Sequence, residues 1–180
     1  MNYFIQCLTY FRILIAPIIF LLITLFDLYG WALFLFFLAS ISDYWDGFLA
    51  RKYKLESVIG AVLDPVADKI LVTFIILALS IELSSLYIGM IGGIMLLREF
   101  WVGALRDFNA RQGNSNATTV SFLAKIKTSI QFVTFSFYLL GLVLDNSLLL
   151  FLSNFFLFLA LIITLQTGLS YTAATFKKNN

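Results

Sequence analysis

Residues 42–69 read SDYWDGFLARKYKLESVIGAVLDPVADK. One apolar run ends here and another begins, and each carries two aspartates: Asp43 and Asp46 on the first, Asp64 and Asp68 on the second. Spacings of three and four residues put each pair on one face of an α-helix. A charged side chain within a bilayer costs about 2.5–3.5 kcal/mol on insertion scales, which makes such residues functional suspects. The link over 52–59 is short, so the two helices are expected to be antiparallel neighbours. All four carboxylates would then meet at one depth, just under a membrane surface.

The rest of the chain supports a membrane setting. Of its 180 residues 61% are hydrophobic and 12% charged, with a mean hydropathy of +0.96, whereas soluble domains carry about 25% charged residues. A helix needs about 20 mostly apolar residues to cross a bilayer. Six candidate spans result: 8–26, 31–51, 60–81, 86–106, 128–144 and 148–175. The second and third reach full length only if their aspartates lie within the helices. The segments around 27–30, 82–85 and 145–147 contain no Lys or Arg. The opposite set holds Arg51, Lys52 and Lys54, then Arg106, Arg111, Lys125 and Lys127, and finally Lys177 and Lys178. Basic residues collect on cytoplasmic loops, and an even number of spans with both termini cytoplasmic satisfies every loop. The expected fold is therefore an all-α polytopic membrane protein with six transmembrane helices, forming a single domain over 1–180.

Arg12 interrupts the first apolar stretch and no small-residue cleavage site follows it, so the N-terminal segment is expected to be retained, with 1–11 along the interface. The connection 107–125, containing Gln112-Gly113-Asn114-Ser115-Asn116, is expected to be cytoplasmic and partly irregular. The Phe- and Leu-rich stretch 148–165 reads as a lipid-facing helix.

Composition narrows the chemistry. There is no histidine and one cysteine, Cys7, which removes internal disulfides, cysteine metal clusters, the usual zinc sites and a His-based triad. A net charge of +2 is too small to suggest a nucleic-acid partner. Four carboxylates in a low-dielectric setting repel strongly, and protonation or cations relieve that. All-oxygen donors favour magnesium, manganese or calcium, and two divalent ions bridged by shared aspartates would suit a pyrophosphate. Gly47 and Ala50 share the face of Asp43 and Asp46, and Gly60 lies one turn from Asp64. Small residues there leave room for a ligand or for close helix packing. Arg51 offers a donor fork for phosphate. Pro65 reads as a first-turn or kink residue. Arg98 and Glu99 lie deeper and are expected to pair with each other's neighbours or with Lys69. Gly89 and Gly93 form a G-x-x-x-G that suits either a dimer face or internal packing.

As one string, 43–68 is D-x2-D-G-x2-A-R-x8-G-x3-D-x3-D. It resembles the signature of the CDP-alcohol phosphotransferase family at every fixed position. The stretches LTYFRILIAP (8–17), DPVADK (64–69), REFWVGALR (98–106) and KIKTSIQ (125–131) extend the similarity toward one bacterial branch. That branch transfers the phosphatidyl group of CDP-diacylglycerol to glycerol 3-phosphate. The resemblance implies a six-helix enzyme of the bacterial inner membrane, a homodimer using magnesium or manganese, with its active site facing the cytoplasm. Asp43, Asp46, Asp64 and Asp68 match the metal-site carboxylates, and Asp68 also matches the proposed general base. Gly47, Ala50, Arg51 and Gly60 match positions lining the cytidine nucleotide. Glycerol 3-phosphate is a dianion and needs cations of its own. Arg106, Arg111, Lys125 and Lys127 flank the active face and suit that role, although positive-inside decoration with snorkelling side chains accounts for such residues equally well. Cardiolipin, phosphatidylserine and phosphatidylinositol phosphate synthases share the signature. A membrane prenyltransferase usually separates its two acidic motifs, and a cation transporter tends to hold its carboxylates near mid-membrane.

The charge asymmetry makes a direct prediction. In a Cys7→Ser background, a cysteine placed in the 52–59 loop should resist impermeant thiol reagents in intact cells and react after permeabilisation. Labelling of sealed cells would invert the topology.

Overall fold

The computed structural model describes the backbone of residues 2–53, 58–114, 118, 119 and 122–177, with side chains placed throughout except at 2–6, 43, 44, 46–53, 58–62, 64 and 125. Six helices follow one another: α1 (Asn2–Thr24), α2 (Tyr29–Tyr53), α3 (Val58–Glu82), α4 (Leu86–Arg111), α5 (Phe122–Val143) and α6 (Ser147–Phe176). Four contain stretches long and apolar enough to cross a membrane, over Cys7–Thr24, Leu86–Arg111, Phe122–Val143 and Ser147–Phe176. The apolar part of α2 is shorter, Tyr29–Ser42, and stops where the aspartates begin. At 1.5 Å per residue, the 25 residues each of α2 and α3 extend about 37 Å. The chain is an all-α polytopic membrane protein.

Three tight turns join the helices at one end. Asp27, Ser84 and Asp145 have φ of 53°, 45° and 45°, the left-handed conformation that closes a helix. In each, the next amide bonds back to a carbonyl five or six residues earlier: Leu28 N to Leu22 O (2.9 Å), Ser85 N to Ser80 O (2.9 Å) and Asn146 N to Gly141 O (2.9 Å). The closing residue then starts the following helix. Ser85 accepts from Ile88 N, and Asn146 from Leu148 N and Leu149 N, which satisfies amides that a new helix leaves orphaned. At the other end α4 closes through Gly113 at φ +67°, with Asn114 N on Asn109 O at 2.8 Å.

The helices form a closed ring, in the order α1, α2, α5, α6, α4, α3 and back to α1. Residue numbers across each contact give its direction, because parallel neighbours hold a constant difference and antiparallel ones a constant sum. Arg12–Asp68 and Phe20–Phe74 make α1 and α3 parallel. Tyr87–Asn154, Arg98–Thr167, Trp101–Thr172 and Asn109–Thr175, with separations of 66 to 71, make α4 and α6 parallel. Phe36–Phe135 and Phe37–Phe132 (6.4 and 5.6 Å between centroids) make α2 and α5 antiparallel. Phe137–Phe156 and Tyr138–Asn154 do the same for α5 and α6. Ile19, Ile75, Leu79, Phe135, Tyr138 and Leu157 are fully buried between the helices. Leu14, Ile18, Phe34, Leu97, Phe151 and Phe155 are exposed and face lipid.

Three expectations change. Among the described residues α1 lies between α2 and α3 and packs on both, so the short 52–59 link does not make α2 and α3 packing neighbours. Second, α1 is continuous from Asn2, because no Gly or Pro precedes Pro17 to stop it, and the segment expected along the interface is its first part. Third, α4 runs on to Arg111 and α5 begins at Phe122, which shortens the irregular connection. Pro65 lies inside α3.

Close approach of α3 and α4 depends on Gly89 of the expected pair and on Gly92, but not on Gly93. A Cβ at Gly93 would meet nothing within 4 Å, whereas one at Gly89 would come 2.8 Å from Ser80 Oγ and one at Gly92 2.2 Å from Ile76 Cγ2. Gly92→Ala should lower the thermal unfolding temperature in detergent, by overpacking worth about 1–3 kcal/mol. Adding Ile76→Ala should recover part of the loss. An unchanged unfolding temperature in the single variant would show that the two helices do not meet there.

Candidate active site

The buried face of α2 runs through Ala32, Phe36, Ala39 and Ser42. On α3 the buried residues Ala67, Leu71, Ile75 and Ala78 form one stripe, and Asp68 lies beside it. Positions 43 and 46 lie toward the end of α2, and 64 and 68 in the first half of α3, at the end of the ring opposite the three tight turns. The side chains of Asp43, Asp46, Gly47, Ala50, Arg51, Gly60, Asp64 and Lys125 lie outside the described residues.

Asp68 is described, and its side chain is 53% exposed. It accepts from Nη1 of Arg12, a side chain with 0% exposure. The pair follows from register. Arg12 lies ten residues beyond the start of α1 and Asp68 ten beyond the start of α3, and the two helices run parallel, so both reach the same depth. Lys69, next along α3, points to α4 instead. Its ammonium sits 5.3 Å from the centroid of Phe100, over the gap left by Gly103, where a Cβ would come 3.3 Å from Nζ. This contact brings Asp68 level with the 100–103 turn of α4.

Around that turn lies a second charged group. Glu99 accepts from Arg98 Nη1 at 3.0 Å and pairs with Lys127 of α5. Arg98 also donates to Thr167 Oγ1 of α6 at 2.7 Å. It packs so closely on Gly168 that a Cβ there would meet its Cγ at 3.0 Å. Tyr171 receives two guanidiniums, with Arg98 at 5.9 Å and Arg106 at 5.8 Å from its ring centroid, a contact favoured by the ring quadrupole. Of the four cations considered for an acceptor phosphate, Arg106 and Lys127 therefore converge with Arg98, while Arg111 pairs with Asp107 (2.9 Å) on the exposed surface. Arg98 and Glu99 pair with each other, and Lys69 takes an aromatic partner instead. Among the described residues, Arg98 and Lys127 share the carboxylate of Glu99, and Arg106 meets the same Tyr171 ring as Arg98. Such a group suits a multiply charged anion.

Two of these participants were not legible as such. Arg12 stood out only as a charge in an apolar run, and Arg98 read as structural. In both cases the partner is a residue on a helix not adjacent in sequence. The all-oxygen donor chemistry of Asp43, Asp46, Asp64 and Asp68, with Asp68 accessible, suits hard divalent cations.

Residues 5–166 match the profile of the CDP-alcohol phosphatidyltransferase family. Three relatives share the name CDP-diacylglycerol–glycerol-3-phosphate 3-phosphatidyltransferase. The protein from Wigglesworthia glossinidia brevipalpis is 40% identical over 129 residues, 69% of this chain and 70% of its own length. That from Salmonella typhimurium is 32% identical over 171 residues, covering 93% and 91%. That from Sodalis glossinidius is 35% identical over 128 residues, covering 69% of each. The match runs from the start of α1 into α6 and takes in both charged groups, so the chain belongs to the CDP-alcohol phosphatidyltransferase family.

Proposed function

We propose that this protein, as a single domain, transfers the phosphatidyl group of CDP-diacylglycerol to glycerol 3-phosphate, releasing CMP and forming phosphatidylglycerophosphate. The observation that carries the reading is the unbroken aspartate signature over 43–68, within a chain similar over 93% of its length to a relative named for that reaction. The site faces the cytoplasm of a bacterial inner membrane, where the basic loops lie, and the enzyme acts as a homodimer.

Two magnesium or manganese ions, held by Asp43, Asp46, Asp64 and Asp68, would neutralise the diphosphate and the charge that builds on departing CMP. The chain's own residues do the rest. Gly47, Ala50 and Gly60 leave the backbone of α2 and α3 open to the cytidine nucleotide, and Arg51 donates to its phosphates. Lys127 and Arg106, with Arg98 behind them, hold the phosphate of the acceptor, and Lys125 and Arg111 add positive charge at the entrance. The acceptor hydroxyl attacks the phosphorus that bears diacylglycerol. Asp68 takes the hydroxyl proton, the bond from that phosphorus to the CMP oxygen breaks, and CMP leaves. The depth of the site suits both reactants, because the lipid approaches from the bilayer and the soluble acceptor from the cytosol.

Purified protein supplied with labelled CDP-diacylglycerol and a panel of alcohols should release CMP only with glycerol 3-phosphate. Asp43→Asn or Asp64→Asn should abolish release while the protein still inserts. Arg106→Gln should raise KM for glycerol 3-phosphate roughly ten- to a hundredfold, the value of a charge-assisted hydrogen bond, and leave KM for CDP-diacylglycerol unchanged. Preference for serine, inositol phosphate or phosphatidylglycerol would reassign the acceptor. Full activity in Asp43→Asn would end the metal-site reading.

A further inference from the structure

A carboxylate that both binds metal and takes a proton needs one oxygen kept out of coordination, and a buried side chain of α1 is in contact with it. Arg12 is completely buried in an otherwise apolar stretch of α1, and it binds Oδ1 of Asp68. Packing alone does not account for it. Burying a guanidinium beside a half-exposed carboxylate contributes no more stability than a well-packed apolar side chain would, and Ala16, Ile19 and Ile23 already seat α1 in the core without an ion pair. The pair is also placed where it touches function. Over half of the Asp68 side chain is accessible, and among the described residues the helix that carries Arg12 packs on both aspartate-bearing helices.

We propose that Arg12 is a positioning residue of the transfer reaction. From α1 it holds the Asp68 carboxylate against the pull of the metal site, so that Asp68 keeps an oxygen turned to the acceptor hydroxyl. The inference rests on the reading of Asp68 as metal-site carboxylate and base. A guanidinium fixed on one oxygen sets the plane of the carboxylate. Its positive charge also lowers the net attraction of the four aspartates for cations. Removing that charge while keeping the bulk should have two opposite effects. The site should bind metal more tightly, and it should turn over more slowly, because Asp68 is drawn fully into coordination.

The test compares wild type, Arg12→Met and Arg12→Lys, each purified in lipid nanodiscs. Mn2+ binding is measured by electron paramagnetic resonance without substrates, and kcat and both KM values are measured separately. Arg12→Met should bind Mn2+ about tenfold or more tightly, as expected for loss of a nearby like charge, and lose at least about tenfold in kcat with both KM values near wild type. Arg12→Lys, which keeps the charge but not the rigid fork, should bind Mn2+ within about threefold of wild type and still lose several-fold in kcat. Unchanged or weaker Mn2+ binding in Arg12→Met, or an undiminished kcat, would overturn the proposal. If Arg12→Met does not fold, Arg12→Lys decides, and a wild-type kcat in that variant overturns it. Wild-type protein that releases CMP yet binds no Mn2+ would instead overturn the metal-site reading beneath it.

Discussion

Charge in an apolar bundle has to be answered by charge, and much of this molecule follows from that requirement. Four aspartates at one end of two membrane helices are tolerable only with cations close by, whether bound ions, the α1 guanidinium or the basic loops. Arg12 supplies part of the answer from inside the bundle, and its reach to Asp68 fixes the depth of α1 against α3. The second charged group obeys the same rule with the sign reversed. Arg98 and Lys127 share Glu99, and Thr167 and Tyr171 accommodate the remaining positive charge. Two groups of opposite net sign thus sit at one level of the ring, held on different helices.

The two groups differ in how rigidly they are built. The cationic group is tied into the contact between α4 and α6, where Arg98, Trp101 and Asn109 each reach a threonine of the neighbouring helix. Parallel neighbours suit such a ladder, because each side chain on one helix finds a partner about the same number of residues ahead. Removing Glu99 would leave Arg98 and Lys127 as buried like charges, the kind of loss that costs several kcal/mol.

Much of the architecture was readable from the chain alone. Six helices, the polar turns at Asp27, Ser84 and Asp145, and the collection of basic residues at one end all follow from hydropathy and Lys/Arg placement. The aspartate positions were readable for the same reason, since a charge in an apolar run is conspicuous wherever it packs. What was not readable is which helices touch. The short 52–59 link suggested that α2 and α3 pair directly, yet among the described residues α1 packs between them, because loop length limits how far apart two ends lie and says nothing about a third helix entering the gap. For the same reason Gly89 and Gly93 looked like a contact pair although Gly92 makes the closer approach. One turn of helix offers several faces, and only the neighbour's position selects among them.

The three tight turns carry a consequence for how the protein is made. Each one closes a pair of helices that are also neighbours in the ring: α1 with α2, α3 with α4, and α5 with α6. A bilayer-spanning hairpin whose turn satisfies its own amides has few polar groups to drag across lipid, so each pair can enter the membrane as a unit. The remaining contacts, α1 with α3, α2 with α5 and α4 with α6, join one hairpin to another. Two of those three junctions hold the buried arginines, Arg12 and Arg98. In a two-stage view of membrane folding, the charges meet their partners only in the second stage, when the hairpins associate. Biogenesis therefore delivers three inert hairpins, and the reactive end of the molecule comes into existence at their assembly.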